Sequence, residues 1–288
     1  MDEHDERAVE ERSALTGLAY RMLGSVAEAE DAVQEAYVRW WRQQPADRAR
    51  IENPGAWLMR TLSRICLDVL GSARVRREAY VGPWLPEPLP AEGADPLDRI
   101  TLDDSVSMAL QVVLDALSPA ERVAFVLHDV FAVPFAQIAD ATGRSTDAAR
   151  QLAASARRKV RDRRGELAPR ERHDEIARAF AAACLGGDLG ALVAILDPSV
   201  TLVSDGGGRV SSARRPVHGA DNVARFLLGL VRKRPRARVA PAFTADGMGF
   251  VVREDGRVDG VIVLGVSRAG SITEVWFVRN PDKLARWR

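Results

Sequence analysis

Five prolines, Pro83, Pro86, Pro88, Pro90 and Pro96, fall within the seventeen residues YVGPWLPEPLPAEGADP at 80–96. Proline locks φ and has no N–H to donate, so at this density the segment forms neither a helix nor a central strand and reads as a stiff, extended linker. Before it, SALTGLAYRML, EAEDAVQEAYVRWWRQ and AWLMRTLSRICLDVLGSARVRR repeat apolar residues three and four apart, the spacing of one helical face. Trp57, Leu58, Leu62, Ile65, Val69 and Leu70 form the stripe of the third, and Pro45, Pro54 and Gly55 break the chain ahead of it. Helical pattern returns from about 97 to 165. Ser118-Pro119-Ala120-Glu121 reads as a helix start, with serine at the N-cap, proline in the first turn and glutamate three residues on. PFAQIADATG and STDAARQLAASARRKVRDRR follow, with Gly143 at the turn between them.

Beyond residue 169 the pattern changes in kind. IARAFAAACLGGDLGALVAILDP reads as two amphipathic helices separated by Gly186-Gly187, and DNVARFLLGLVRK as a third. VTLVSD, GMGFVVRE, VDGVIVLGVS and ITEVWFV are short, β-branched runs bounded by turn residues, hence strands. The expected architecture is multidomain: an all-α domain at 1–78, the linker at 79–104, a second all-α domain at 105–168 and an α+β domain at 169–288.

Composition narrows the class. Hydrophobic residues are 47% and charged residues 28% of the 288, the balance of a soluble chain with real cores. No apolar run approaches the roughly 20 residues that span a bilayer, and MDEHDERAVEER lacks the apolar region of a secretory signal, so the expectation is a cytoplasmic protein without membrane contact. Two cysteines, Cys66 and Cys184, exclude a disulfide framework and a multi-cysteine zinc cluster, and no metal or cofactor is expected. Net charge is +1, but acids crowd residues 1–35 while arginines crowd 144–172. That polarity suits a protein touching both a basic partner and a polyanion.

Two faces carry candidate chemistry. Two helices about Gly143, the second rich in arginine, have the form of a helix-turn-helix. Leu152, Ala156 and Val160 should face its core, leaving Arg150, Gln151, Ala154, Arg157, Arg158 and Arg161 outward, where arginine can bond guanine edges or phosphates. In NPGAWLMRTLSRICLD, Arg60, Arg64 and Asp68 recur every four residues beside Trp57, an arrangement suited to single-stranded DNA. Trp40, Trp41 and Trp57 fit a core equally well, and Arg64 with Asp68 fits a helix ion pair; spacing does not choose. In the rear domain, an enzyme would need an acid or histidine inside a cavity. Asp205 and His218 come first, then Asp246 and Asp259, but no acid–base pair stands at readable spacing. Asp205, before three glycines, reads as a turn former, and His218 as a cap for the helix beginning near Asp221.

EAEDAVQEAYVRWW resembles the polymerase-gripping helix of extracytoplasmic-function sigma factors, and NPGAWLMRTLSRICLDVL the −10 reading segment of their σ2 domain. LSPAERVAFVLHDVFAVPFAQIADATGRSTDAARQLAASARRKV resembles their −35 reading σ4 domain, and the rear domain the SnoaL-like branch of the NTF2-like fold that one subgroup carries. That subgroup's marks are WLPEP with Trp84, Leu85 and Pro86, DGGG at Asp205, Gly206, Gly207 and Gly208, and NPDKL with Asn280, Pro281, Asp282 and Lys283; Arg209 stands where the glycine motif usually ends in lysine. The resemblance implies a non-enzymatic initiation factor whose partners are core RNA polymerase, at its clamp and flap regions, and promoter DNA, duplex and melted. Asp31, Gln34 and Glu35 would meet the clamp. The loop from Arg50 to Gly55, with Asn53, would receive a flipped base, Trp57, Arg60 and Arg64 would line the melted strand, and Arg150, Gln151, Arg157 and Arg158 would meet the −35 duplex. The DGGG and NPDKL segments would hold the linker and regulate the factor in cis, with a ligand in the rear cavity left open. The alternatives are a helix-turn-helix regulator with a ligand-sensing NTF2-like domain, and a SnoaL-like isomerase or hydrolase fused to a DNA-binding module.

Overall fold

The computed structural model describes residues 11–78, 80–91, 107–164 and 167–287. These form two compact units, one built from 11–78 and 110–162, the other from 80–91, 107–109, 163–164 and the chain from 167 to 287. The acidic stretch at 1–10 and the linker residues 92–104 lie outside the described residues.

In the first unit, α1 (Arg12–Leu23), α2 (Val26–Trp41), the single turn α3 (Pro45–Arg48) and α4 (Pro54–Glu78) pack through their apolar stripes. Ala29, Val33, Ala36 and Trp40 of α2 meet Leu58, Leu62, Ile65 and Cys66 of α4 in a buried core. Trp40 is wholly inaccessible and meets Trp57 edge-on, ring centroids 5.4 Å apart. The tryptophans therefore divide: Trp40 is core, Trp57 is half-buried, and Trp41 is exposed beneath the Arg48 guanidinium.

The same unit holds α5 (Met108–Asp115) from Leu110 onward, α6 (Pro119–Phe125), a π turn (Val126–Val130), α7 (Phe135–Thr142) and α8 (Thr146–Arg164). The capping box at the start of α6 is present, with Ser118 and Glu121 each bonding the other's backbone N–H. Gly143 takes φ 64° at the end of α7, a left-handed turn that lets α8 leave at an angle. The inward stripe of α8 is Ala149, Ala153, Ala156 and Val160, while Leu152 is only half-buried. The expected stripe was thus displaced at its start, because positions 149, 153, 156 and 160 follow the 3.6-residue period more closely than a strict step of four.

In the second unit, α9 (Arg170–Gly186), α10 (Leu189–Ile195) and α11 (Ala220–Lys233) pack on a six-stranded sheet of order β2-β1-β6-β5-β4-β3. The strands are β1 (Leu196–Asp205), β2 (Val217–His218), β3 (Arg238–Thr244), β4 (Gly247–Glu254), β5 (Arg257–Val266) and β6 (Ile272–Val278). Sequence pattern misses β3, RVAPAFT, where Pro241 argues against a strand; it is tolerated because β3 is an edge with one neighbour. All neighbours pair antiparallel except β1 and β6, which run parallel with Asp205 opposite Val278. The DGGG and NPDKL segments leave the same end of the sheet for that reason. The proline segment forms neither helix nor strand, and it is no free spacer: Leu85, Glu87 and Leu89 are buried, and the Ala91 N–H donates to Phe243 O on the β3 edge at 2.7 Å.

Candidate functional site

The first candidate face lies on α2 and α4. Asp31 and Gln34 are exposed on the outer side of α2, and Glu35 beside them pairs with Arg39 at 2.8 Å. Asn53 caps α4, its side-chain oxygen accepting from Ala56 N–H at 2.9 Å, so the exposed loop before Pro54 ends in a defined turn. One and two turns on, Arg60 and Arg64 leave α4 on one face, and both reach Asp140 on α7: Arg60 Nη1 at 2.8 Å from Oδ2, and Arg64 Nη2 at 3.3 Å from Oδ1 and 2.9 Å from the backbone oxygen. The ion pair that spacing suggested for Arg64, with Asp68, is replaced here by one with Asp140. Nothing local in PFAQIADATG marks that aspartate.

The second face is the outer side of α8. Arg150, Gln151, Arg157 and Arg158 are all exposed. Arg150 pairs with Asp147 at 2.6 Å and lies over the Phe135 ring. Arg157 makes a fork on Asp129 of the π turn, at 2.7 and 3.2 Å, and that carboxylate raises its pKa further. Beneath them, Glu121 accepts from Lys159 Nζ, Ser155 and Ser118, so α8 is anchored to the start of α6. Burial pushes the Glu121 carboxyl up, but the Ser118 N–H, Lys159 and the two hydroxyls outweigh it and hold it at about 2.

The third candidate is a clamp on the proline segment. The Asp205 carboxylate is wholly buried; Oδ1 accepts from Tyr80 hydroxyl at 2.6 Å and Gly207 N–H at 2.9 Å, and Oδ2 from Leu85 N–H at 2.9 Å and Lys283 Nζ at 2.7 Å. Lys283, also buried, donates to Leu85 O and lies 4.2 Å from the Trp84 ring centroid. Desolvation first, then the Asp205 carboxylate, holds the Tyr80 hydroxyl protonated far above its usual range. Asn280 Nδ2 donates to the same hydroxyl at 3.0 Å, and its carbonyl caps the turn begun by Pro281. Trp287 Nε1 ties down Pro88 O at 2.8 Å.

The glycines of the motif allow this closeness. A side chain on Gly207, at φ 62°, would stand 2.4 Å from Asn280 Nδ2, and one on Gly208 3.0 Å from Val81. One on Gly206 would strike Val210 O. Arg209 pairs with Asp282 at 2.9 Å, joining the two motifs at the surface and accounting for a long, forked side chain at that position. Of the expected clamp residues, Trp84, Leu85, Pro86, Asp205, Gly206, Gly207, Gly208, Asn280, Pro281, Asp282 and Lys283 all gather at this end of the sheet. Tyr80 and Trp287 join them with no motif to announce them.

In the rear domain the structure agrees with both expectations for Asp205 and corrects the one for His218. Asp205 does shape the glycine turn, through Gly207, but its larger role is to bind the linker. His218 does not cap α11 with its ring, which meets Thr201 Oγ1 at 3.1 Å in the β1–β2 pair; Gly219 is the N-cap, and only the His218 carbonyl takes part, accepting from Asn222. Asp246 sits in the β3–β4 turn, half-buried, receiving the Met108 and Ala109 N–H groups at 2.6 and 2.9 Å. Asp259 is held by both Arg234 and Arg279. Among the described residues no helix is long and apolar enough to cross a membrane, and no group of three histidine, cysteine or acidic side chains could hold a metal ion.

Comparison with known proteins agrees with this layout. The family model of Sigma-70 region 2 matches residues 9–77, and that of Sigma-70, region 4 matches residues 107–160. The ECF RNA polymerase sigma factor SigJ of Mycobacterium tuberculosis is 41% identical over 290 residues, spanning 94% of this chain and 90% of the relative. The probable ECF RNA polymerase sigma factor SigI of the same organism is 37% identical, spanning 95% and 92%. The crystal structure of M. tuberculosis SigJ superposes with a TM-score of 0.75 at 38% identity, over 98% of each chain.

Proposed function

The chain belongs to the extracytoplasmic-function sigma factors, transcription initiation factors that bind core RNA polymerase and promoter DNA, and from that premise we propose how its faces divide the work. The outer side of α2, with Asp31, Gln34 and Glu35, docks on the polymerase clamp, and the second helical domain on the flap. Asn53, Trp57, Arg60 and Arg64 read the melted −10 strand. Arg150, Gln151, Arg157 and Arg158 on α8 enter the −35 duplex.

The observation that carries this reading is the shared face of Arg60 and Arg64 beside a half-buried Trp57, immediately after a capped loop. Guanidinium groups neutralise phosphates, and the tryptophan edge offers a surface for an unstacked base. Unpairing a base costs a few kcal/mol, so only sequences that fill such a pocket well are opened. Asp140 occupies both arginines, but exposed ion pairs contribute only ~0.2–1 kcal/mol each. One stacked base contributes about 1–3 kcal/mol, so a promoter strand displaces the aspartate.

Regulation in cis follows from the clamp. Lys283 and Asp205 grip the chain between the two DNA-reading domains at Leu85, so opening or closing that grip changes how much linker is available to span promoter elements. The rear domain acts on the linker through Asp205, while the Asp259 carboxylate is engaged by Arg234 and Arg279. The protein works where polymerase and chromosome meet, in the cytoplasm.

Run-off transcription with core polymerase tests this. Arg60→Ala with Arg64→Ala should abolish initiation while the chain still co-elutes with core enzyme. Substitutions at Asp31 and Glu35 should do the reverse, losing co-elution. Initiation undiminished by the arginine pair would overturn the assignment.

A further inference from the structure

Two arginines on the outer face of α8 are tied to carboxylates, and the ties differ in kind. Arg150 meets Asp147 one turn back on the same helix, at 2.6 Å, with both side chains mostly exposed. Arg157 meets Asp129, 28 residues earlier, through two bonds: Nε at 2.7 Å from Oδ1 and Nη2 at 3.2 Å from Oδ2. The Asp129 side chain is only 22% exposed, that of Arg157 46%. Both carboxylate oxygens are thereby engaged on one guanidinium. Its opposite edge, Nη1 with the second hydrogen of Nη2, has no partner among the described residues.

The π turn places that carboxylate. Here the Phe131 N–H reaches back five residues to Val126 O at 3.2 Å, and the turn closes at Ala132 with φ 53°, a left-handed conformation uncommon for a residue with a Cβ. Such a conformation costs energy and persists where the surrounding structure enforces it. His128, the residue before Asp129, stacks on Phe135 with ring centroids 3.9 Å apart, and its Nδ1 lies 3.1 Å from Val133 O. The turn is fixed on both sides of the aspartate.

We propose that Asp129 is a positioning residue, holding Arg157 with its open edge presented to a guanine of the −35 duplex, so that this arginine reads a base. The proposal rests on the assignment of α8 to that duplex. Arginine binds guanine O6 and N7 through two parallel N–H groups, which the edge left open by Asp129 supplies. A phosphate on that edge would set a second anion across the same guanidinium, whereas O6 and N7 are uncharged acceptors. The fork also orders the side chain on folding, so less freedom is lost when DNA binds. Arg158 and Arg161, exposed on α8 and held by no carboxylate among the described residues, are the phosphate contacts of the same face.

Selection from a library of duplexes randomised over the promoter region, with the full chain bound to core polymerase, tests this. Wild type should enrich a guanine at one −35 position that Arg157→Ala fails to enrich. Asp129→Ala should lower enrichment at that same position by about tenfold, the discrimination of one bidentate base contact, and leave the other positions unchanged. Binding to an alternating dA-dT duplex, which offers phosphates but no guanine, should stay level or tighten, a result that a disrupted α8 would not give. Asp129→Leu, similar in size and without an acceptor, takes its place if the alanine variant does not fold, as judged by circular dichroism. Guanine enrichment that survives in a folded Asp129 variant while Arg157→Ala loses it would overturn the proposal and leave the assignment of α8 standing. No position altered by Arg157→Ala would overturn the use of Arg157 in that assignment, and the proposal with it. Loss at every position together with weaker dA-dT binding would make the pair a structural tie and overturn the proposal likewise.

Discussion

Arg60 Nη1 lies 2.8 Å from Asp140 Oδ2, so the arginine we propose for the melted promoter strand is held by a carboxylate of α7. Arg64 shares that aspartate. On the proposed reading, the aspartate competes with a strand phosphate for the two arginines. Both sides are about half-exposed, which makes the contact a tuner and not a lock. Asp140→Ala should therefore strengthen binding of a −10 single strand by about two- to fivefold, the equivalent of ~0.5–1 kcal/mol. Fluorescence anisotropy of the holoenzyme checks this, and the gain should shrink as salt rises.

Breaking the clamp has a larger effect because its ions are buried. Removing one partner of a buried pair costs about 3–5 kcal/mol, since the other charge is left without compensation. Lys283→Met should free the segment around Leu85, seen as faster proteolysis between Val81 and Pro90 and a lower unfolding temperature. Asp205→Leu combined with Lys283→Met should recover part of that loss, as no charge is then stranded. Equal proteolysis in wild type and Lys283→Met would show that Trp287 and the buried leucines hold the linker by themselves.

Glu121 makes the second helical domain acid-sensitive. Its carboxyl is held at about 2 in the folded chain against 4.5 for an ordinary glutamate. A depressed acid contributes stability in full above about pH 4.5, and that contribution fades as pH falls toward 2, on the order of 3 kcal/mol in all. Urea unfolding at pH 7 and pH 3 checks it. Glu121→Gln should be less stable than wild type at pH 7, and the gap should narrow at pH 3.

Asp246 caps α5 from far along the chain, receiving the N–H groups of Met108 and Ala109. Burial raises its pKa against the pull of those two N–H groups. Loss of a capping carboxylate costs about 0.5–2 kcal/mol. Asp246→Ala should speed hydrogen exchange at Met108 and Ala109 several-fold, and Asp246→Asn, which keeps an acceptor oxygen, should do so less. Unchanged exchange in the alanine variant would show that α5 starts without this cap.

Much of this was legible before any fold was known, where the deciding interactions were local. The capping box at Ser118 and Glu121 is complete within four residues, and the amphipathic stripes of α2 and α4 are matters of period. The arginine face of α8 was equally plain, although its buried stripe began at Ala149 and Ala153, since a rotation of a few tens of degrees is invisible to spacing. Strand β3 was hidden because its proline is acceptable only at an edge, and edges are defined by the finished sheet.

The sequence by itself determined the order of the two sigma regions, the lack of helix or strand in the proline segment, and which motifs belong together in kind. Only the tertiary structure decided what those motifs touch. Asp205 and Lys283, far apart in the chain, meet at 2.7 Å because β1 and β6 run parallel and end together. Arg64 turned from Asp68 to Asp140 because α7 packs across α4. His218 meets Thr201 across the β1–β2 pair and Asp259 meets Arg234 and Arg279, partners that no local pattern announces. Local sequence sets backbone conformation over a few residues, whereas the charge, burial and partners of a side chain depend on segments that reach it only when the chain has folded.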